Sequence, residues 1–320
     1  MKQTKIVRML LFTAVLFAIL AATAWPHRRI LGLRIVGLVE EPPPLNEPSS
    51  ELESVTWFDD YFTIEFVDPQ TIAIGEPRYW QQNYSYLILG SNRAILFDSG
   101  PGLRDIKPVV ESLTELPVTV ASSHLHYDHV GNHEQFDRIA LVDLPHLRER
   151  AQSGVFRPSS REHLGFMEEF DPPTLVVSEW WAPESQVDLG SRTLTVIHAP
   201  GHAPESIVLL DRDRRLLFTG DYIYEGPLFA FLPGSDLNHY LLTARRMVEA
   251  VPAGTRLLTA HRETPPGAPV LDYADLVDLK ETLEQLRQGT LEGDGFYIKS
   301  YRINTRIRLV AEMLWLERWE

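Results

Sequence analysis

A short run of residues gathers three imidazoles and a carboxylate directly after a predicted strand. It reads Ser122-Ser123-His124-Leu125-His126-Tyr127-Asp128-His129. In extended backbone, residues i and i+2 point to the same side, so His124 and His126 can bind one cation together. A following turn can bring Asp128 and His129 toward a second cation. The run therefore predicts a metal site.

Four other segments carry a residue that could join this site, and each belongs to the end of a strand-like run. They are Leu96-Phe97-Asp98-Ser99-Gly100, His198-Ala199-Pro200-Gly201-His202, Phe218-Thr219-Gly220-Asp221 and Leu258-Thr259-Ala260-His261. Side chains at the ends of several strands meet in one pocket. The chain contains no cysteine, so histidines and carboxylates must supply any metal coordination.

The elements that must position these residues are predicted from the apolar periodicity. Alternation at Phe62, Ile64 and Phe66 begins a series of strands before any strong helix. Further strands are predicted over residues 71–74, 84–89, 94–97, 118–121, 139–142, 194–197, 207–210 and 216–218. Helical patterns cover residues 144–151, 237–251 and 272–286. Strands first, and then strands mixed with helices, indicate an α/β fold that is rich in sheet.

The composition fits one large globular domain and disfavours nucleic acid as a substrate. Hydrophobic residues make up 44% of the 320 residues, which is enough to bury a substantial core. Acidic residues outnumber basic ones by 44 to 30, and the resulting net charge of −14 repels phosphate backbones. A small-molecule substrate is therefore expected.

The N-terminal region is predicted to direct the chain out of the cytoplasm. Basic residues precede an apolar run over residues 9–24, which ends in small residues suited to cleavage. Residues 1–24 are therefore interpreted as a signal peptide or an uncleaved N-terminal membrane anchor, and either predicts a periplasmic or extracellular body. Residues 25–56, rich in proline and acidic residues, are predicted to be an extended linker before a folded domain over residues 57–320.

The C-terminal end has two strand-like pieces followed by apolar residues near helical spacing. These apolar residues are Leu309, Met313, Leu316 and Trp319. We interpret them as core packing, with a second membrane contact as the alternative.

In their order and separation, the motifs of this chain resemble those of the metallo-β-lactamase superfamily. The HxHxDH run at residues 124–129, the PGH that ends at His202, the TGD that ends at Asp221 and the late His261 carry this resemblance. The similarity extends over roughly residues 83–261. It implies that the domain is a four-layered αββα sandwich of two mixed β-sheets flanked by helices, with metals at one edge.

The resemblance also implies a set of metal ligands. Seven residues would hold two metal ions: the first with His124, His126 and His202, the second with Asp128, His129 and His261, and both with Asp221. Asp98 would support them from outside the ligand set. Imidazoles and carboxylates suit two zinc ions, although iron or manganese can use the same ligands.

The function implied by the resemblance is hydrolysis, by attack of a metal-bridging hydroxide on a carbonyl carbon. With a carboxylate at Asp221, the motif resembles that of the glyoxalase II, thioesterase and lactonase branches of the superfamily. Asp128 and Tyr224 are the candidate catalytic residues, Tyr224 as a hydrogen-bond donor to the substrate carbonyl or oxyanion. The aromatic and apolar stretch over residues 221–233 suits an acyl chain. We therefore predict a dinuclear zinc hydrolase of a small carbonyl ester, lactone or thioester.

Three alternatives stay open at the level of the sequence. Hydrolysis of β-lactams is less favoured, because the branches with that activity typically lack the bridging aspartate. Iron in place of zinc would support sulfur dioxygenase or other oxygen chemistry on nearly the same ligands. A non-catalytic binding module would hold metal without turnover. The loops 157–167 and 222–233 are expected to set the specificity in any of these cases.

Overall fold

The computed structural model describes residues 23–37 and 43–312. The predicted signal peptide or anchor, residues 1–24, therefore lies almost entirely outside the described residues, and so do Met313, Leu316 and Trp319. Within the described part of the chain, no helix combines the length and the apolar character needed to cross a membrane.

The larger of the two principal sheets has nine strands and carries the first half of the chain. The strands are β1 (Val55–Trp57), β2 (Thr63–Asp68), β3 (Thr71–Glu76), β4 (Asn83–Leu89), β5 (Ala94–Phe97), β6 (Val118–Ala121), β7 (Ile139–Val142), β8 (Val155–Phe156) and β9 (Leu175–Trp181). Their order is β1-β2-β3-β4-β5-β6-β7-β9-β8. Neighbours from β1 to β5 are antiparallel, whereas β5, β6, β7 and β9 are parallel. The carboxyl ends of β5 and β6 consequently meet at one edge of the sheet.

The second principal sheet has six strands, and the second half of the chain also forms a smaller sheet of three strands. The remaining strands are β10 (Gln186–Asp188), β11 (Thr193–His198), β12 (Ile207–Asp211), β13 (Leu216–Gly220), β14 (Gly226–Phe229), β15 (Arg256–Thr259), β16 (Val270–Asp272), β17 (Ile298–Arg302) and β18 (Ile307–Glu312). The six-stranded order is β10-β11-β12-β13-β15-β16, and the small sheet is β14-β18-β17. Parallel pairing of β13 with β15 brings their carboxyl ends together.

The two principal sheets pack face to face through buried aromatic side chains. Phe218 of β13 has its ring centroid 5.5 Å from that of Tyr86 in β4 and 6.4 Å from that of Phe97 in β5. All three rings are almost completely buried. Such aromatic contacts contribute stabilisation beyond the area that they bury. This contact joins the sheets close to the end of β5, where the candidate site begins.

Seven α-helices are described. They are α1 (Arg28–Gly37), α2 (Lys107–Leu113), α3 (Tyr127–Val130), α4 (Pro145–Arg150), α5 (Ser160–His163), α6 (Leu237–Ala250) and α7 (Tyr273–Gln288). An aspartate caps the N-terminus of each of the two longest helices. Asp236, before α6, accepts a hydrogen bond from the backbone N–H of His239, and Asp272, before α7, forms a capping box with Asp275. Leu241 of α6 and Leu279 of α7 are buried in the same cluster as Leu217 of β13. The α/β fold of mixed sheets flanked by helices is therefore confirmed.

Two local predictions were wrong. Residues 28–37, predicted to be extended linker, form helix α1, whose Arg28 and Arg29 make ion pairs with the buried Glu312 at 2.5 and 2.8 Å. The Pro-rich signal that suggested extended chain comes from residues after this helix. Leu309, predicted to lie at helical spacing with the residues that follow it, belongs instead to strand β18, although it is buried in the core as its interpretation required.

Candidate metal centre

The HxHxDH run occupies the turn between β6 and α3. His124 and His126 precede the helix, and Asp128 and His129 lie in its single turn. Helix α3 has its N-cap at His126, whose backbone is extended, so the chain changes direction between the two pairs. This is the turn that the sequence predicted, and it directs the two pairs of side chains toward different points.

Asp98 supports the turn from the end of the neighbouring strand β5. Its Oδ1 accepts a hydrogen bond of 2.6 Å from the backbone N–H of Ser123, and its Oδ2 lies 3.0 Å from His129 Nδ1. Asp98 has a positive φ of 65°. Few residues with a side chain adopt this backbone conformation, and aspartate is one of those that adopt it most readily. The two hydrogen bonds stabilise this backbone conformation while orienting His129.

The remaining candidate ligands come from the loops that follow strands of the second sheet. His202 follows β11, Asp221 follows β13 and His261 follows β15. Gly220 allows the close approach of the two halves, because a Cβ at this position would lie 2.2 Å from the Cβ of Ser123. Glycine in the TGD motif thus has a steric reason, since any larger residue would separate Asp221 from the HxHxDH turn.

Four buried ligand atoms form the first group, and the side chains that provide them are His124, His126, His202 and Asp221. His126 Nδ1 lies 2.8 Å from His124 Nε2 and 3.1 Å from His202 Nε2. Asp221 Oδ2 lies 4.0 Å and 3.6 Å from the same two atoms. Ligand atoms of a tetrahedral cation with bonds of about 2.0–2.1 Å lie about 3.3 Å apart, so these four atoms are close enough together to hold one metal ion.

The second group is formed by Asp128, His129 and His261, and the other oxygen of Asp221 completes it. His129 Nε2 lies 3.3 Å from both Asp128 Oδ2 and Asp221 Oδ1. His261 Nε2 lies 3.4 Å and 3.0 Å from the same two oxygens. The two oxygens of the Asp221 carboxylate therefore face different groups, as a bridging ligand requires.

Two of these atoms are buried without a hydrogen-bond partner. They are His129 Nε2 and Asp221 Oδ1, which face each other in the second group. A buried polar atom without a partner is costly, and such atoms in native proteins usually have a specific explanation. A divalent cation would satisfy both atoms at once, so the residues present fit the metal ions that the resemblance implies.

The ring nitrogens directed away from these groups also have partners. His124 Nδ1 lies 3.0 Å from Ser123 Oγ, His202 Nδ1 lies 3.0 Å from the carbonyl oxygen of Phe229, and His261 Nδ1 lies 3.1 Å from that of Gln81. Hydrogen bonds of this kind fix the tautomer and orientation of metal-binding histidines. No sequence signal indicated that Gln81 or Phe229 would hold a histidine, because both do so through a backbone carbonyl.

The two groups differ in electrostatic character. In the first, burial and the nearby imidazole of His202 lower the pKa of His126 to about 3. In the second, burial opposes the charged form of His129, but the carboxylates of Asp128 and Asp221 outweigh it and hold its pKa well above the usual range. The first group therefore offers neutral imidazoles, which is the form that binds metals.

A cavity of about 580 Å³ opens over both groups. Its lining combines ligands with apolar side chains from the two predicted specificity loops, Leu164 and Met167 from one, and Phe229, Phe231 and Leu232 from the other. The lining also includes Leu33 of α1, Trp80 and Glu168. None of these three was predicted, because each lies outside the motifs and reaches the site only through the fold.

Tyr224 lies between the second group and the apolar wall. Its ring centroid is 5.1 Å from that of His261, and its hydroxyl donates a hydrogen bond of 2.6 Å to the carbonyl oxygen of Pro227. The residue lines the cavity, as the sequence predicted, but its hydroxyl is engaged by the backbone. A role toward substrate would require the hydroxyl to leave Pro227.

Comparisons with known proteins agree with the geometry. The family model described as the metallo-beta-lactamase superfamily matches residues 78–288. Acyl-coenzyme A thioesterase MBLAC2 of Homo sapiens is 30% identical over 228 residues, which covers 60% of this chain and 80% of that protein. Hydroxyacylglutathione hydrolase of Aeromonas hydrophila is 26% identical over 188 residues, covering 58% and 63%. A solved metallo-beta-lactamase from Pontibacter korlensis matches the fold with a TM-score of 0.53 at 15% identity, covering 70% of this chain and 99% of that one.

Proposed function

Because the chain belongs to the metallo-β-lactamase superfamily of hydrolases, we propose that it is a dinuclear zinc enzyme that hydrolyses a carbonyl ester, lactone or thioester. The observation that carries this proposal is the Asp221 carboxylate. Its Oδ2 lies 3.6 Å from His202 Nε2 in one group, and its Oδ1 lies 3.0 Å from His261 Nε2 in the other. One carboxylate shared in this way could hold a cation with each of its two oxygens.

Zinc ions in the two groups would supply Lewis acidity and lower the pKa of water to near neutrality. The residues of the chain would perform the positioning. Asp98 orients His129, and Asn83 Nδ2 donates hydrogen bonds to the backbone carbonyl and to Oδ2 of Asp128 at 2.8 and 3.2 Å. Asp128 also lines the cavity, which supports a role for its carboxylate as the acceptor of a hydrogen bond from the attacking water molecule.

Among the three substrate classes, an acyl thioester is the first to test. The relatives named as acyl-coenzyme A thioesterase and as hydroxyacylglutathione hydrolase favour it. The apolar wall that includes Phe229, Phe231 and Leu232 supports an acyl chain beside the reacting carbonyl. Contact with such a wall also excludes water from the reacting bond, which strengthens electrostatic interactions there.

The first experiment measures metal content and turnover in the full chain, purified without chelator. We expect about two zinc ions per chain and hydrolysis of a soluble short-chain acyl thioester. Asp221→Ala should leave at most about one zinc ion and lower kcat/KM by about 10³-fold. Asp213→Ala, which removes an exposed carboxylate, is the matched control and should change neither quantity.

Three results would contradict the proposal. An Asp221→Ala protein with the turnover of the unsubstituted chain would exclude the bridging role. Iron as the bound metal would favour oxygen chemistry over hydrolysis. Two zinc ions without turnover of any thioester, ester or lactone would exclude the proposed reaction.

A further inference from the structure

Helix α1 forms part of the wall of the active-site cavity. Leu33 lines the cavity, and Ile30 packs against the main hydrophobic core. The guanidinium of Arg34 lies 5.2 Å from the ring centroid of Phe166, next to the cavity residue Met167. The N-terminal segment is therefore fixed at the entrance to the site.

The opposite side of the same segment exposes large apolar side chains. Leu31 and Ile35, four residues apart in α1, are 45% and 64% exposed, and Trp25, in the 3-10 turn before the helix, is 48% exposed. Phe296, the large hydrophobic residue exposed most among those described, is 85% accessible and adjoins Tyr297. Tyr297 and Arg28 both donate to the carboxylate of Glu312. We call Trp25, Leu31, Ile35 and Phe296 the α1 face.

The sequence and the charge of this segment indicate what kind of partner binds the α1 face. The apolar run over residues 9–24 directly precedes it in the chain. Residues 23–37 contain His27, Arg28, Arg29 and Arg34 but no acidic residue, in a chain with a net charge of −14. Exposed tryptophan, leucine and isoleucine beside basic side chains, directly after an apolar run, suit a segment that lies in the interface of a bilayer.

We propose that the α1 face docks on a phospholipid bilayer, so that the cavity opens at the membrane surface and takes a long-chain acyl ester or thioester held there. This inference rests on the proposed hydrolytic function and specifies its substrate class. Docking through the α1 face places the membrane on one side of α1, while Leu33 lines the cavity on the other side. An acyl chain that leaves the bilayer then has only this helix to pass before it meets the apolar wall of the cavity.

The charges of the cavity favour a substrate whose leaving group carries no phosphate or other fixed negative charge. Apart from the metal ligands, its described lining includes three acidic residues, Glu168, Glu225 and Glu263, and a single basic residue, Arg262. Arg262 already makes an ion pair of 2.6 Å with Glu51, and its side chain is 1% exposed. Away from the metal ligands, a polyanionic group would be repelled by these carboxylates and would find no basic side chain of the lining free to pair with it. A neutral lipid ester or thioester carries no charge for the carboxylates to repel.

The test compares two substrates with the full chain bound to phosphatidylcholine and phosphatidylglycerol vesicles. One substrate is a soluble short-chain acyl thioester, and the other is a long-chain acyl thioester incorporated in the vesicles. The variant Leu31→Ser/Ile35→Ser removes apolar contacts outside the cavity. Phe66→Ser/Val176→Ser, at residues 58% and 62% exposed on β2 and β9, is the matched control.

We expect the α1 variant to hydrolyse the vesicle-borne substrate about tenfold more slowly and the soluble substrate at an unchanged rate, while the control variant changes neither rate. The soluble substrate also reports whether the variant folds. A second measurement adds a probe instead of removing a contact: brominated lipid should quench the fluorescence of Ile35→Trp but not that of the added tryptophan in Phe66→Trp.

Equal rates for the α1 variant and the unsubstituted chain on vesicles would overturn the inference, and so would an absence of quenching at position 35. A dimer that the α1 variant abolishes would identify a second copy as the occupant of the face and would also overturn it. Failure of the proposed function is distinguishable, because the soluble thioester would then not be hydrolysed by the unsubstituted chain.

Discussion

At the scale of single residues, Tyr224 lies between the candidate metal centre and the apolar wall of the cavity. Its hydroxyl donates to the Pro227 carbonyl at 2.6 Å, while its ring contacts His261. A preorganised oxyanion donor contributes about 10²–10³ in kcat, because it needs no rearrangement at the moment of reaction. A hydroxyl that must first leave a backbone carbonyl contributes less.

We therefore expect Tyr224→Phe to lower kcat by no more than about tenfold and to leave the metal content unchanged. Steady-state kinetics on a soluble thioester, together with metal analysis of the same preparation, checks both statements. A fall in kcat of about 10³-fold with full metal content would show that Tyr224 is a full oxyanion donor and that its contact with Pro227 is broken during the reaction.

The candidate ligands and one of their supports, Asp98, could be predicted from residue types, whereas the supports that act through the backbone could not. His124, His126 and Asp221 combine types suited to metals with fixed spacing and order along the chain, and both properties are visible in a sequence. The carbonyl groups of Gln81 and Phe229 hold two of the histidines through the backbone, which every residue possesses. Only the fold determines which carbonyl group faces a ring.

At the scale of elements, Glu205 links the loop after β11 to the HxHxDH turn. Its Oε1 accepts a hydrogen bond of 3.2 Å from the backbone N–H of Leu125, which lies between the first two histidines. The side chain is buried, and this burial raises the pKa of Glu205 to about 7 from an ordinary value of 4.5. The carboxyl group of Glu205 thus joins the two elements through a hydrogen bond, and it is also a titrating group in the core.

The raised pKa makes the contribution of Glu205 to stability depend on pH. Between about pH 4.5 and 7 the unfolded chain loses this proton while the folded chain retains it, so the free energy of unfolding falls as the pH rises. Glu205→Gln keeps an acceptor and cannot ionise. Its free energy of unfolding, relative to the unsubstituted chain, should therefore rise by up to about 3 kcal/mol between pH 5 and pH 8.

Urea unfolding of both chains with metal removed would measure this difference without a contribution from metal release. Glu249→Gln, at an exposed position of α6, is the control and should show a difference that does not vary with pH. A constant difference between Glu205→Gln and the unsubstituted chain across this range would mean that Glu205 titrates as an exposed carboxyl group.

Strands were easier to predict than their pairing or the N-terminal helix. Regular alternation and apolar runs indicated strands such as residues 94–97 and 118–121, because side-chain burial in a sheet has a local signature. Parallel pairing of β14 with β18 joins segments about 80 residues apart and has no such signature. Helix α1 likewise packs through Arg28 and Glu312, whose separation of 284 positions leaves no local pattern.

At the scale of the whole molecule, Glu312 holds the N-terminal segment on the domain. Its carboxylate accepts hydrogen bonds from Arg28 Nε at 3.0 Å, Arg29 Nε at 2.8 Å and the Tyr297 hydroxyl at 2.6 Å. The Glu312 side chain is almost fully buried. Burial favours its neutral form, but these donors outweigh that effect and lower the pKa of Glu312. Both ends of the described chain thus depend on one ionised carboxylate.

Neutralising this carboxylate should release α1 while the two sheets remain folded. Glu312→Gln keeps the size of the side chain but leaves Arg28 and Arg29 without their charged acceptor, and hydrogen bonds to charged groups are the stronger ones. We expect trypsin to cleave at Arg28, Arg29 or Arg34 about tenfold faster in this variant, because cleavage requires local release of the helix. Glu284→Gln, which removes a half-exposed partner of Arg245, should leave the rate unchanged. If Glu312→Gln instead accelerated cleavage throughout the domain, Glu312 would stabilise the whole fold, and α1 would not be a separately released element.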